Sequence, residues 1–133
     1  MFKKFDHVSI AVRDIDEGYR IYRDALGGKV VRGKTRGYDG SFSWTEIELG
    51  GIKVELIQPE DKSSFVHRFL DQKGSKVHHL AFEVDNIDSA VKHLQTKGFD
   101  IIGSTDLDPE WKIAFLSPKT TGGVLIQIFE SKQ

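Results

Sequence analysis

The 133-residue chain contains no cysteine, three prolines and a single methionine, and its 19 Lys and Arg nearly cancel its 20 Asp and Glu. Without cysteine there is no disulfide framework and no thiolate chemistry, which suits a reducing compartment. A formal net charge of −1 supplies no basic field for nucleic acid or for an anionic membrane surface. No apolar run approaches the length of a membrane span. The opening Met1-Phe2-Lys3-Lys4-Phe5-Asp6 is charged and enters a strand without the apolar core of a secretory leader. These absences lead to the expectation of a cytoplasmic globular protein, one domain over residues 1–133 with a core of useful size.

What the chain does have is a repeat. Phe5-Asp6-His7-Val8-Ser9-Ile10-Ala11-Val12-Arg13-Asp14-Ile15-Asp16 returns 72 positions later as Val77-His78-His79-Leu80-Ala81-Phe82-Glu83-Val84-Asp85-Asn86-Ile87-Asp88. His7 then falls on His79, Val12 on Val84, Ile15 on Ile87 and Asp16 on Asp88. The same offset carries Gly51-Ile52-Lys53-Val54-Glu55-Leu56-Ile57 onto Gly123-Val124-Leu125-Ile126-Gln127-Ile128-Phe129. Each unit therefore has a histidine on its first strand and a Glu or Gln on its last.

Residues 5–12 alternate apolar and polar with the period of a strand. Asp14 is placed to cap a helix that carries Ile15, Tyr19, Tyr22 and Leu26, and Gly27-Gly28 stops it. Short strands over 29–35, 42–49 and 52–57 follow, with a turn at Tyr38-Asp39-Gly40-Ser41. Phe65, Val66, Phe69 and Leu70 mark a connecting helix. The second unit repeats the order: strand 76–84, helix about 86–97, then strands near 99–104, 111–117 and 124–130. The reading is α+β, with two tandem βαβββ modules forming a curled mixed sheet around a metal-binding cleft. Module one covers about 1–59, the connecting helix about 61–74 and module two about 75–131.

Strand parity separates His7 from the apolar Val8, Ile10 and Val12, and Glu55 from Val54 and Leu56. It separates His79 from Leu80, Phe82 and Val84, and Gln127 from Ile126 and Ile128 in the same way. Four polar side chains lie on the faces that do not cover helices, and if the modules pack symmetrically those four converge. Two imidazoles, a carboxylate and an amide oxygen suit a divalent transition ion with positions left for water or substrate. The expected ligands are His7, Glu55, His79 and Gln127, and the expected cofactor is one divalent ion: Zn, Co, Ni or Mn. His78 has the opposite parity and reads as structural; His67 and His93 read as surface residues on helices.

With those four positions, the duplicated βαβββ pattern resembles the vicinal oxygen chelate superfamily over the whole chain. Local strings look most like methylmalonyl-CoA epimerases: Asp6-His7-Val8-Ser9-Ile10-Ala11-Val12, Lys53-Val54-Glu55-Leu56-Ile57-Gln58-Pro59 and Val77-His78-His79-Leu80-Ala81-Phe82-Glu83-Val84. The long string from Lys112 to Ile126, with its Pro118-Lys119-Thr120-Thr121-Gly122-Gly123 hairpin, completes the match. The resemblance implies an acyl-CoA thioester substrate, a homodimer and chemistry in which a base removes the proton beside a thioester or keto carbonyl. Epimerisation needs two acid/base groups, because the proton returns to the opposite face.

The chain departs from that pattern at Gln127, where such enzymes carry Glu, and an amide takes no proton at neutral pH. Candidate bases are Glu55, with its role exchanged between modules; Glu46, which shares strand parity with Trp44 and Glu48; and Asp39, at the position that ungapped counting from Glu55 reaches. The alternatives are a glyoxalase I-type lactoylglutathione lyase and a resistance-type protein that binds a small molecule without turning it over. A ring-cleaving dioxygenase fits less well, since its iron-binding carboxylate would stand at position 127.

Overall fold

The computed structural model describes residues 1–133. In chain order it contains β1 (Phe2–Ala11), α1 (Ile15–Tyr19) running on as a π-helical segment Arg20–Ala25, β2 (Lys29–Arg36), β3 (Phe42–Leu49) and β4 (Ile52–Pro59). Then come α2 (Phe65–Lys73), β5 (Val77–Val84), α3 (Ile87–Thr96), β6 (Ile101–Thr105), β7 (Trp111–Leu116), a 3₁₀ turn Pro118–Thr120 and β8 (Ile126–Ser131). The strands form one mixed sheet in the order β2-β3-β4-β1-β5-β8-β7-β6. The α+β class and the two βαβββ repeats are as the sequence predicts. One difference is the second half of the first helix. Leu26 N–H donates to the carbonyl of Ile21, five residues back, so the helix widens before Gly27 ends it at φ 83°.

The chain forms two compact units, His7–His78 and a second made of Met1–Asp6 with His79–Gln133. The division does not fall where the repeats meet, because β1 serves both. Its His7–Ala11 half pairs in parallel with Lys53–Ile57 of β4. Its opening residues belong with β5: Asp85 N–H donates to the Met1 carbonyl, Lys3 pairs with Glu83, and the Phe5 and Phe82 rings lie 5.3 Å apart.

In the His7–His78 unit, the apolar parity set closes on α1. Val12, Ile15, Ile47, Val54 and Leu56 form its buried core, with Val8, Ile10, Tyr19, Tyr22 and Val30 packed around them. Full burial of a side chain such as Leu56 stabilises by about 1.5–3 kcal/mol. Gly18 lets the helix sit this close, since a Cβ there would collide with Leu56 Cδ1. In the other unit Val84, Ile87, Ala90, Leu94, Ala114, Leu116 and Ile128 do the same work around α3.

The repeat reaches down to single hydrogen bonds. Asp14 caps α1 through Asp16 N–H, and Asn86, 72 residues on, caps α3 through Ser89 N–H. The side-chain oxygens of Gln58 and Glu130, also 72 apart, each accept the first helical N–H, from Ile15 and Ile87, at 2.8 Å.

Candidate active site

In the His7–His78 unit, the face away from α1 is built by register. Opposite residues on neighbouring strands share a face, and His7 lies opposite Lys53, Ser9 opposite Glu55, and Glu55 opposite Glu46. Arg32 of β2 faces Glu46 in turn, and its guanidinium lies over the Trp44 ring at 4.5 Å. His7 is 6 % exposed and Ser9 0 %. His7 Nε2 is 3.6 Å from Glu55 Oε1, the oxygen that accepts the Ser9 hydroxyl. Glu46 is half-buried beside them and pairs with Lys53 Nζ at 3.6 Å, whereas Glu48 is exposed.

In the other unit, His79 is 4 % exposed and meets the Phe115 ring edge-on at 5.7 Å. Gln127 of β8 lies opposite both Ala81 and Phe115, on the face that carries His79. Each of the four expected ligands is thus on the side of its sheet away from the helix. His78 turns the other way. It packs against the Phe65 and Phe69 rings at 5.4 and 4.7 Å, and burial lowers its pKa to about 4, so the ring is neutral. His93 is exposed, and the partly exposed His67 pairs with Asp71 at 3.1 Å.

Asp39 is placed differently from the other two candidate bases. It lies in the β2–β3 turn, and its Oδ1 accepts both the backbone N–H and the hydroxyl of Ser41. The β3–β4 ladder begins after it, at Phe42 opposite Pro59, whereas Glu46 stands directly across from Glu55. Ser9 and Lys53 were not picked out by sequence reasoning. The signal for Ser9 was the repeat itself: at the 72-residue offset, Ser9 and Glu55 become Ala81 and Gln127 together.

The donor set fits a divalent ion. A buried imidazole nitrogen and a carboxylate oxygen 3.6 Å apart can both ligate one ion through bonds of about 2.0–2.2 Å. Imidazole and carboxylate are also the donors that zinc and its neighbours accept.

The model of the Glyoxalase/Bleomycin resistance protein/Dioxygenase superfamily matches residues 6–115. The chain belongs to this superfamily. It is 35 % identical to the mitochondrial methylmalonyl-CoA epimerase of Mus musculus, over 94 % of this chain and 71 % of that one. It is 30 % identical to the ethylmalonyl-CoA/methylmalonyl-CoA epimerase of Cereibacter sphaeroides, over 96 % and 98 %. The crystal structure of methylmalonyl-CoA epimerase from Mycobacterium tuberculosis superposes with a TM-score of 0.85 at 28 % identity, covering 99 % of this chain and 90 % of that one. The superfamily domain therefore has epimerases among its homologues, and it keeps their fold from end to end.

Proposed function

We propose that the protein is a divalent-metal-dependent epimerase acting on a 2-carboxyacyl thioester of the methylmalonyl-CoA kind. The observation that carries this reading is the pair Glu46 and Glu55, opposed on one sheet face beside the buried His7, in a chain whose relatives are epimerases. His7, Glu55, His79 and Gln127 would hold the ion. The chemistry that a bound divalent ion supplies is Lewis-acid polarisation of a carbonyl oxygen, which makes the neighbouring C–H acidic.

The remaining steps belong to the chain. An epimerase must take the proton from one face of the α-carbon and return one to the other. Gln127 can orient and donate a hydrogen bond but cannot carry that proton. Glu55 and Glu46 can, and cross-strand neighbours have Cβ atoms about 4.5–5.5 Å apart, so two such carboxylates can reach one substrate carbon. We assign proton transfer to this pair, with Glu55 acting also as ligand and Gln127 as ligand alone. Asp39, tied to Ser41 in its turn, shapes the β2–β3 connection.

The test is methylmalonyl-CoA in heavy water with metal-reconstituted protein, followed by NMR. The α-proton signal should disappear, and a chelator should stop its loss. If no divalent ion supports exchange, the epimerase reading falls. The amide at 127 then favours a protein that binds a small acyl compound without turning it over.

A further inference from the structure

We infer that Ser9 is a positioning residue that fixes the Glu55 carboxylate for ligation, an inference that rests on the ligand role proposed above for Glu55. Ser9 is 0 % exposed in the middle of β1, and its hydroxyl donates to Glu55 Oε1 across a ladder in which the two residues are opposite. That oxygen is also the one 3.6 Å from His7 Nε2. The Ser9 hydroxyl therefore holds in place the same carboxylate oxygen that lies nearest the imidazole.

The repeat supplies the internal control. The equivalent of Ser9 is Ala81, and it lies opposite Gln127. Ala81 is 0 % exposed as well, so the strand core at this position folds without a hydroxyl. The hydroxyl occurs in the half that carries the carboxylate and is missing from the half that carries the amide. A free carboxylate rotates between equivalent oxygens, and a fixed donor removes that freedom. Hydrogen bonds behind ligating groups typically change metal affinity 10–100-fold when removed.

Zn²⁺ affinity of the metal-free protein, from competition with a chromophoric chelator, is the deciding measurement, with the Co²⁺ absorption spectrum reporting ligand geometry. Ser9→Ala should weaken Zn²⁺ binding about 10-fold or more and alter the Co²⁺ bands, while thermal unfolding of the metal-free protein stays where it was. Unchanged affinity and spectrum in Ser9→Ala would overturn the inference and leave Glu55 as a ligand. A loss of affinity matched by a lower unfolding temperature of the metal-free variant would assign the serine to folding and overturn it too. A wild-type protein that binds neither ion would remove the ligand set and this inference with it.

Discussion

The two repeats are alike in backbone and opposite in polarity. Where the first has Glu55 facing the site and Gln58 capping its helix, the second has Gln127 and Glu130. Where the first clasps its outer strands with Lys34 on Glu60 at 3.7 Å, the second uses Asp106 on Lys132 at 2.8 Å, with both charges reversed at the same offset. Arg36 adds to the first clasp at 3.9 Å from Glu60; its counterpart Asp108 offers its backbone carbonyl to Lys132 at 2.6 Å. The difference teaches what each position requires. A helix start needs an acceptor, and an amide oxygen or a carboxylate serves. An exposed clasp needs opposite signs, in either order, and contributes little to stability. At the proposed site the exchange would not be neutral, because a carboxylate can move a proton and an amide cannot.

The largest expected effect breaks that last asymmetry. Glu55→Gln, which makes the two halves alike, should lower the rate of α-proton exchange about 10²–10⁴-fold and more than Glu46→Gln does. The reverse ranking in single-turnover NMR exchange would give the principal base to Glu46. Next come the caps. Glu130→Ala removes a charged acceptor and should destabilise by about 1.5–3 kcal/mol, whereas Gln58→Ala should cost about 0.5–1.5 kcal/mol; equal urea midpoints would show that the charge on Glu130 is immaterial.

The smallest effect concerns the clasps and pH. The Ser43 hydroxyl and then the Gln58 amide hold the Glu60 carboxyl below its ordinary value of 4.5, with Lys34 and Arg36 adding to them. A carboxyl whose folded value is depressed contributes stability above its unfolded value and loses it as the pH falls through the folded one. Urea midpoints should therefore drop as the pH falls below that ordinary value, and Glu60→Gln should flatten part of that slope. An unchanged slope would show that this group is not linked to folding.

Much of this was legible in the residues. The 72-residue offset and strand parity were enough to give two βαβββ units, the strand positions and the face that each of His7, Glu55, His79 and Gln127 occupies. The π-helical stretch was not, because the spacing of Ile15, Tyr19, Tyr22 and Leu26 does not reveal the hydrogen-bond pattern, of which the Leu26–Ile21 bond is one member. Where Glu46 and Asp39 lie relative to Glu55 needed the β3–β4 register, which places Glu46 opposite Glu55 and Asp39 in the turn. The inverted clasps were hidden because β2 pairs with β3 through register shifts after Val30 and Arg32, and β6 with β7 through one after Ile102. Parity cannot be carried across such irregularities.

The division of β1 at Asp6 and His7 bears on how such a chain could be taken apart. A cut at Gly74, between the repeats, separates two similar sequences but not two complete packing units. The later fragment would lack Met1–Asp6, the segment whose Met1 carbonyl and Phe5 ring serve Asp85 and Phe82. A duplicated gene arranged as head and tail has thus produced a protein in which the tail borrows the first six residues of the head. Deleting the first copy would therefore strip the second of part of its own packing unit.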